Sequence, residues 1–282
     1  MELTFKAGTL PILVSIPHAG TDIPGDIATR MAPCALALAD TDWHLPELYS
    51  FLGALGASTL AARWSRYVID VNRPLDDSNL YPGLDTTGLC PLDTFKRERL
   101  YLDGQAPTAA EVRQRIQRYW QPYHNQLRAE LDRLLALHGT VLLWDAHSIA
   151  SRVPRFFDGR LPDLNFGTAD GSACAPGLSA AVMAPAHAAQ RYSIALDARF
   201  KGGFITRHYG QPQAGVHAIQ LEMCQCLYMN ENANENANEN ANENANENAN
   251  GDAPFAYRPD LAREIEPLLR QMIDAALDWV RK

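Results

Sequence analysis

Short apolar runs recur along the chain, and each has the length of a strand buried inside a sheet. They lie at residues 11–16, 57–62, 67–71, 141–145, 193–198, 203–207 and 216–222. Several of them are apolar at nearly every position, which is typical of strands that helices cover on both faces. The pattern therefore predicts a sheet built from these runs.

The longest stretch with helical spacing covers residues 108–138, where apolar side chains recur three and four positions apart. Thr108 and Glu111 form a capping box, in which the Thr108 hydroxyl is expected to accept a hydrogen bond from the Glu111 backbone N–H. Pro122 lacks a backbone N–H, so we expect it to kink this helix or to divide it.

Two further stretches, residues 45–55 and 260–281, have the same spacing. Asp260 is the expected N-cap of the second stretch. Because these helices alternate with the apolar runs, the pattern predicts an α/β layered domain with a mostly parallel or mixed sheet. We expect residues 1–282 to form a single domain.

Three segments lack such spacing. Residues 74–107 and 149–179 are rich in Pro, Gly and Asp, and long loops of this kind often bind ligands. Residues 230–250 consist of repeated Asn-Glu-Asn-Ala units, which have no apolar face to bury. We expect this repeat to be a surface insertion that carries no candidate site residue.

The composition is that of an ordinary globular protein, with 46% of the 282 residues hydrophobic and 21% charged. The formal net charge of −8 argues against a general nucleic-acid-binding protein. We expect neither a membrane helix nor a signal peptide, because no apolar stretch has the required length. The five cysteines include no CxxC pair, so we expect reduced thiols in a cytoplasmic protein. The oligomeric state stays open.

Two histidines follow apolar runs. His18 comes after the first run and His147 after the run at 141–145, where parallel strands of an α/β sheet usually place their functional residues. Asp145 lies two positions before His147 on the same face of a strand, so it can orient the imidazole or approach a metal itself. Two imidazoles in such positions indicate a metal-dependent hydrolase.

Carboxylates complete this candidate site. A hydrolytic zinc usually binds a carboxylate beside two imidazoles, and Asp42 is the favoured third ligand, with Asp40 and Asp22 as alternatives. Glu222 lies in an apolar run, where burying an acid is costly unless it is paired or catalytic. We interpret Glu222 as the general base that takes a proton from the attacking water.

Asn72 and Arg73 end another apolar run and could hold an anion, because a guanidinium matches the two oxygens of a carboxylate. A glycine-rich segment at 202–210 adds donors that could contact a substrate. The further candidates are Arg63, Arg66, Arg155, Arg199, Thr206, Arg207 and His208. A local cluster of cations would be needed to attract an anion to an acidic protein.

These motifs together resemble the N-formylglutamate amidohydrolases. The segments that carry the resemblance are Pro17-His18-Ala19-Gly20, Asp40-Thr41-Asp42-Trp43, Asp70-Val71-Asn72-Arg73-Pro74, Asp145-Ala146-His147-Ser148, 200–210 and Gln220-Leu221-Glu222-Met223. They run in order along the chain, which makes the resemblance more specific than any single motif. The family is in turn similar to the zinc carboxypeptidases, although Thr21 stands where their His-x-x-Glu motif has its glutamate.

The resemblance implies an α/β three-layer sandwich with a central mixed, mostly parallel sheet. It also implies hydrolysis of N-formyl-L-glutamate, a small anionic amino-acid derivative, to L-glutamate and formate in histidine degradation. Zn²⁺ would be held by His18, His147 and a carboxylate, although iron, cobalt or manganese could occupy the same ligands. Glu222 would act as base and then as acid towards the departing amine.

A substrate with two carboxylates would need two arginines. Arg73 with Asn72 would bind one, and Arg155 or Arg207 the other. Two other interpretations stay open: an amidohydrolase or carboxypeptidase for another N-acyl amino acid, or a binding protein without activity that uses its repeat as an interaction tail. A serine hydrolase based on Ser148 is disfavoured, because no Gly-x-Ser-x-Gly motif surrounds it.

Overall fold

The computed structural model describes residues 3–231 and 253–282, and a seven-stranded sheet lies at its centre. The strands are β1 (Leu3–Lys6), β2 (Ile12–Ile16), β3 (Ser58–Ala62), β4 (Val141–Ile149), β5 (Leu164–Gly167), β6 (Ile194–Leu196) and β7 (Val216–Cys224). Their order across the sheet is β1-β3-β2-β4-β7-β5-β6. Only β1 with β3 and β5 with β7 pair antiparallel, so the sheet is mixed and mostly parallel, as predicted.

Eight α-helices are present in the described ranges: α1 (Gly25–Ala28), α2 (Leu45–Leu48), α3 (Leu52–Leu55), α4 (Ala109–Arg115), α5 (Gln121–His138), α6 (Pro176–Ala189), α7 (Phe204–Tyr209) and α8 (Pro259–Val280). A π-helical turn at Ile116–Trp120 joins α4 to α5. Short 3₁₀ turns lie at Pro33–Ala37, Pro212–Ala214 and Gln225–Leu227.

Helices cover both faces of the sheet. On one face, Leu13 of β2 and Leu143 of β4 belong to an apolar cluster with Leu127 of α5. On the other face, Trp144 of β4 belongs to a cluster with α6 and with Leu269 of α8. Burial on both faces explains why the central strands are apolar at nearly every position. The predicted three-layer α/β sandwich is confirmed.

Most of the predicted strands are confirmed. The runs at 11–16, 57–62, 141–145 and 216–222 correspond to β2, β3, β4 and β7, and the run at 193–198 contains the shorter β6. The pattern missed β1 and β5, which have four residues each and too few apolar positions to stand out.

The predicted strand at 67–71 is wrong, because this run forms turns beside the sheet. The backbone N–H of Asp70 donates to the carbonyl of Leu89 at 2.7 Å instead of joining a strand ladder. These turns place the Asp70 carboxylate 2.7 Å from the His18 ring. The apolar side chains of the run are buried, which explains their strand-like sequence pattern.

The predicted strand at 203–207 is also wrong, because these residues begin helix α7. The Ile205 N–H donates to the Asn72 side-chain oxygen at 2.8 Å, and Gly202 precedes the helix with a φ of +107°. A contact with a distant loop thus outweighs the local preference of β-branched residues for strands.

The helix predicted at 108–138 is confirmed, including the hydrogen bond from the Glu111 N–H to the Thr108 hydroxyl at 3.3 Å. The predicted disturbance at Pro122 takes the form of the π-helical turn just before it, which relieves the clash of the proline ring with the preceding turn. The stretch 45–55 forms two separate turns rather than one helix.

The N-cap predicted at Asp260 is wrong. Arg258 occupies the cap position, Pro259 is the first helical residue, and Asp260 forms an ion pair with Arg258 at 2.7 Å. Proline at the first helical position explains the shift, because its fixed φ is already helical and its missing N–H would have no partner there.

Residues 232–250 of the predicted repeat insertion lie outside the described residues. In the ranges that the structure describes, no helix combines the length and the apolar character that a bilayer crossing needs.

The buried ring of His124 in α5 should make the stability of the fold depend on pH. Its ring is buried between the Val71 carbonyl, 2.8 Å from Nε2, and the Tyr209 hydroxyl, 2.9 Å from Nδ1. Burial is the main cause that lowers the pKa of His124 to about 3. The Val71 carbonyl opposes the shift, and His208 and Arg128 contribute to it. Below a pH of about 6.5 the unfolded chain therefore takes up a proton that the folded chain does not.

We expect this histidine to destabilise the fold as the pH falls from about 6.5 towards 3, by about 1.4 kcal/mol per pH unit. Urea unfolding of the wild type and of His124→Gln at pH 7 and at pH 5 measures the effect. The variant should be less stable at pH 7 but should lose about 2 kcal/mol less between the two pH values. An equal loss in both proteins would contradict the assignment.

Candidate active site

The candidate site lies at the carboxyl ends of the central strands. β4 and β7 pair in parallel with His147 directly opposite Glu222 and Asp145 opposite Gln220. His18 lies just beyond the end of β2, which pairs with β4 on its other side. Alternation along a strand directs residues 145 and 147 to one face, so the register brings the imidazole and the acid together.

His18, Asp42 and His147 form a cluster in which one potential ligand atom of each lies within 4.8 Å of the others. The Asp42 Oδ2 atom is 3.2 Å from Nδ1 of His147 and 3.9 Å from Nδ1 of His18. All three side chains are buried. Two imidazoles and one carboxylate are a donor set that zinc accepts, so these residues fit a metal ion.

A second carboxylate stands behind His18. Asp70 lies 2.7 Å from Nε2 of His18 and accepts a hydrogen bond from Arg66 at 2.9 Å. Burial alone would raise the pKa of Asp70, but His18, Arg73 and Arg66 hold it well below its ordinary value. Asp70 therefore stays ionised and orients His18, a role that the sequence did not assign.

His147 is supported in the same way. Its Nε2 atom is 3.3 Å from Asp145 and 3.0 Å from the Asn72 amide nitrogen. Asp145 in turn accepts hydrogen bonds from Ser15 at 3.2 Å and from Thr206 at 3.1 Å. Burial alone would lower the pKa of His147, but Asp145 and Asp42 raise it well above its ordinary value. An environment that attracts a proton this strongly also attracts a metal cation.

Of the two predicted substrate contacts Asn72 and Thr206, only Asn72 reaches the cavity. Thr206 is fully buried against Asp145 and does not line the cavity. Asn72 does line it, although its amide also bridges His147 and the Ile205 N–H. Both residues thus position the His147 side of the site.

Glu222 faces the cavity. Its side chain forms no hydrogen bond with any residue that the structure describes, although the residue is only 9% exposed. Burial raises the pKa of Glu222 to about 8, Asp42 adds to the rise and His147 opposes it. A carboxyl group in this state can take up and release a proton near neutral pH.

The cavity has a volume of about 60 Å³ and is lined by three arginines, Arg66, Arg73 and Arg199. Arg66 is buried and paired with Asp70. Arg73 donates to the Thr87 carbonyl at 2.8 Å and lies 4.0 Å from Asp70. These cations give the site a local positive charge that opposes the net negative charge of the chain.

Arg155 and Arg207 do not line this cavity. Arg155 forms ion pairs with Asp85 at 3.1 Å and with Asp93 at 2.8 Å. Arg207 donates to the Gly202 carbonyl at 2.8 Å and lies over the ring of Tyr81. Their long side chains are directed to these partners by the loops, which the sequence could not show.

The two alternative carboxylates are also placed elsewhere. Asp40 accepts a hydrogen bond from the Phe95 N–H at 2.8 Å, and burial raises its pKa. Asp22 forms an ion pair with Arg63 at 2.6 Å, and its side chain is 45% exposed. Neither belongs to the metal-ligand cluster in the described residues, whereas Asp42 does.

A second cavity of about 500 Å³ adjoins the site, and Phe95, Ser148 and Ile149 line both. The Ser148 hydroxyl is 2.6 Å from the Tyr228 hydroxyl, and its backbone N–H donates to Asp42 at 3.1 Å. Ser148 therefore supports the ligand cluster. The larger cavity is also lined by Asp40 and by Arg155, one of the arginines that the sequence suggested as substrate contacts.

Comparisons with known proteins place the chain among N-formylglutamate amidohydrolases. Residues 10–229 match the family model described as N-formylglutamate amidohydrolase. An N-formylglutamate deformylase of Pseudomonas aeruginosa is 48% identical over 280 residues, covering 99% of this chain and 97% of that protein. One from Pseudomonas putida is 45% identical over 277 residues, covering 98% and 96%. The crystal structure of N-formylglutamate amidohydrolase from Ralstonia eutropha JMP134 has a TM-score of 0.75 at 26% identity, with 99% of this chain and 97% of that chain covered.

Proposed function

Because this chain belongs to the N-formylglutamate amidohydrolase family, we propose that it hydrolyses N-formyl-L-glutamate to L-glutamate and formate with a divalent metal, zinc in the first place. One observation carries the proposal: the unpartnered carboxyl group of Glu222 shares a cavity with His18 and His147 among the described residues. The resemblance implies histidine degradation as the setting of this reaction, and the cysteine pattern favours the cytoplasm.

His18, Asp42 and His147 would hold the metal, with Asp70 and Asp145 orienting the two imidazoles. When bound, the metal supplies a Lewis acid that polarises the formyl oxygen and makes a water molecule more acidic. The burial of all three ligands excludes competing water from this side of the site.

Glu222 moves the proton. Its carboxylate takes a proton from the water whose oxygen attacks the formyl carbon, and its carboxyl form delivers that proton to the glutamate nitrogen as the C–N bond breaks. The pKa of Glu222, raised to about 8 by burial, suits both halves of this transfer near neutral pH. Because Glu222 lies opposite His147 in the pairing of β4 with β7, the acid would lie beside the formyl carbon of a substrate bound at the metal.

Arg73 would bind a carboxylate of the substrate. Its hydrogen bonds go to the Thr87 carbonyl, the Thr87 hydroxyl and the Asn72 carbonyl, which fix the guanidinium at the cavity wall. We therefore expect the enzyme to prefer N-formyl derivatives of anionic amino acids over those of neutral ones. Near the site the arginines at the cavity outweigh the net charge of −8 of the whole chain.

A different acyl group is the second candidate, and the adjoining cavity of about 500 Å³ favours it. The test compares N-formyl-, N-acetyl- and N-succinyl-L-glutamate with protein that was stripped by a chelator and then reloaded with zinc. We expect formate release from the first substrate at least about 100-fold faster than hydrolysis of the others. Faster hydrolysis of the N-acetyl or N-succinyl compound would show that the substrate carries that acyl group instead of formyl. If zinc is bound and none of the three compounds is hydrolysed, the protein is better explained as a binding protein.

A further inference from the structure

Arg199 occupies an unusual position at the cavity. Its Nε donates to the Phe156 carbonyl at 2.7 Å, and its Nη2 donates to the Asp85 carbonyl at 3.1 Å. Its guanidinium also lies 5.6 Å from the ring centre of Tyr81. Arg199 therefore connects the segments 74–107 and 149–179, and it lines the cavity together with Glu222.

Arg199 forms no ion pair with a carboxylate of the described residues, although Asp85 and Glu222 lie near enough to act on its charge. Arg66 is paired with Asp70 and Arg155 with Asp93, but the hydrogen bonds of Arg199 go to backbone carbonyls. Burial lowers the pKa of Arg199 and Arg73 adds to the fall, whereas Tyr81, Asp85 and Glu222 oppose it. A partly buried guanidinium without an acid is costly, and an anionic ligand would remove that cost.

Resting on the proposed function, we propose that Arg199 binds the side-chain carboxylate of N-formylglutamate while Arg73 binds its α-carboxylate. A guanidinium at a cavity wall, already fixed by carbonyl acceptors, can present its remaining N–H groups to both oxygens of a carboxylate. Arg199 then takes the place that the sequence suggested for Arg155 or Arg207.

The chemistry of the substrate explains which arginine binds which group. The α-carboxylate is attached to the carbon next to the reacting nitrogen, whereas the side-chain carboxylate lies two methylene groups further away. Arg73 is 4.0 Å from Asp70, which contacts the candidate ligand His18. Arg199 is held by the Phe156 and Asp85 carbonyls, on loops that supply no ligand to the cluster.

This assignment makes Arg199 a specificity residue. An uncharged side chain in the substrate would leave the guanidinium desolvated and without an acid, so such a substrate is rejected. An acidic side chain restores the ion pair. The preference of the enzyme for glutamate over glutamine derivatives should therefore depend on Arg199.

The test measures kcat/KM of zinc-loaded protein for N-formyl-L-glutamate and N-formyl-L-glutamine. Arg199→Met should lower the ratio of the two values by about 100-fold, mainly through KM for the acidic substrate. Arg270→Met is the matched control, because Arg270 also lies over an aromatic ring, 4.8 Å from Phe51, but is outside the cavity. An equal loss on both substrates in Arg199→Met would overturn the assignment.

A second variant and a binding measurement also test the role of Arg199. If Arg199→Met does not fold, Arg199→Lys keeps the charge but loses the two-pronged geometry, so the ratio should fall about tenfold, and an unchanged ratio would overturn the proposal. Calorimetric titration with L-glutamate and L-glutamine measures binding without catalysis. Selective loss of glutamate binding in the variant supports Arg199 even if the wild type fails to hydrolyse the formyl substrate, a failure that would reject only the proposed function.

Discussion

Replacing Glu222 with glutamine is expected to lower kcat for formate release by about 10²- to 10⁴-fold, the usual contribution of a general acid–base residue. Glutamine keeps the size of the side chain but cannot exchange a proton. Glu222 lies outside the cluster of His18, Asp42 and His147, so zinc should remain bound. The reaction would then lose its proton carrier while its metal and its substrate contacts stay in place.

The measurement combines steady-state kinetics with zinc content per chain for the wild type and Glu222→Gln. Glu264→Gln serves as a control, because Glu264 pairs with Arg191 at the surface and both side chains are largely exposed. We expect about equal zinc content in all three proteins and full activity in the control. Unchanged kcat in Glu222→Gln would exclude Glu222 as the proton carrier, and loss of zinc would make it a ligand.

Replacing Asp42 with asparagine is expected to weaken zinc binding by at least about 100-fold and to abolish formate release at limiting zinc. The amide is a much poorer zinc ligand than the carboxylate. Asp42 is also the carboxylate that lies between the two imidazoles, 3.2 Å from His147 and 3.9 Å from His18. Removing its charge leaves the cluster with two neutral donors.

Competition with a chromophoric chelator measures the zinc affinity of Asp42→Asn beside Asp40→Asn and Asp22→Asn. The exposed Asp22 pairs with Arg63, so its variant should bind zinc as the wild type does. Asp40→Asn should also retain zinc, although it removes a charged acceptor from the Phe95 N–H and can lower stability. Zinc loss in one of these two variants, with retention in Asp42→Asn, would move the ligand assignment to that residue.

An acidic chain is compatible with the proposed anionic substrate because charge is organised locally. Asp42, Asp70 and Asp145 are buried against histidines and Arg66, so their charges are balanced within the site. Arg199 faces the cavity with carbonyl partners, and Arg73 faces it with the Thr87 carbonyl as partner and Asp70 at 4.0 Å. An approaching anion would therefore meet cations, whatever the net charge of the whole chain.

The sequence was sufficient for the central strands and for the residues at their ends. β2, β4 and β7 are buried on both faces, so nearly every side chain had to be apolar and the runs were visible. Acids and histidines are costly in such runs, which made His147 and Glu222 stand out. Parallel strands then bring their carboxyl ends to one edge, so His18 could be placed nearby.

The tertiary structure alone decided the rest. The run at 67–71 and the run at 203–207 have strand-like sequences, but Asp70 and Ile205 take partners from distant segments. Asp42 could be separated from Asp40 and Asp22 only by where each carboxylate points. Arg199 could be separated from Arg155 and Arg207 only by its partners.

The physical reason is the distance along the chain between the residues that interact. The spacing of apolar residues indicates which side chains are buried, and this spacing can be seen within a short stretch of sequence. An ion pair or a hydrogen bond between long side chains depends on two segments whose separation only folding sets. The sequence thus determined the central strands, the two histidines and the acid beside them. The fold decided the candidate third ligand, the carboxylates beside the histidines and the arginines at the cavity.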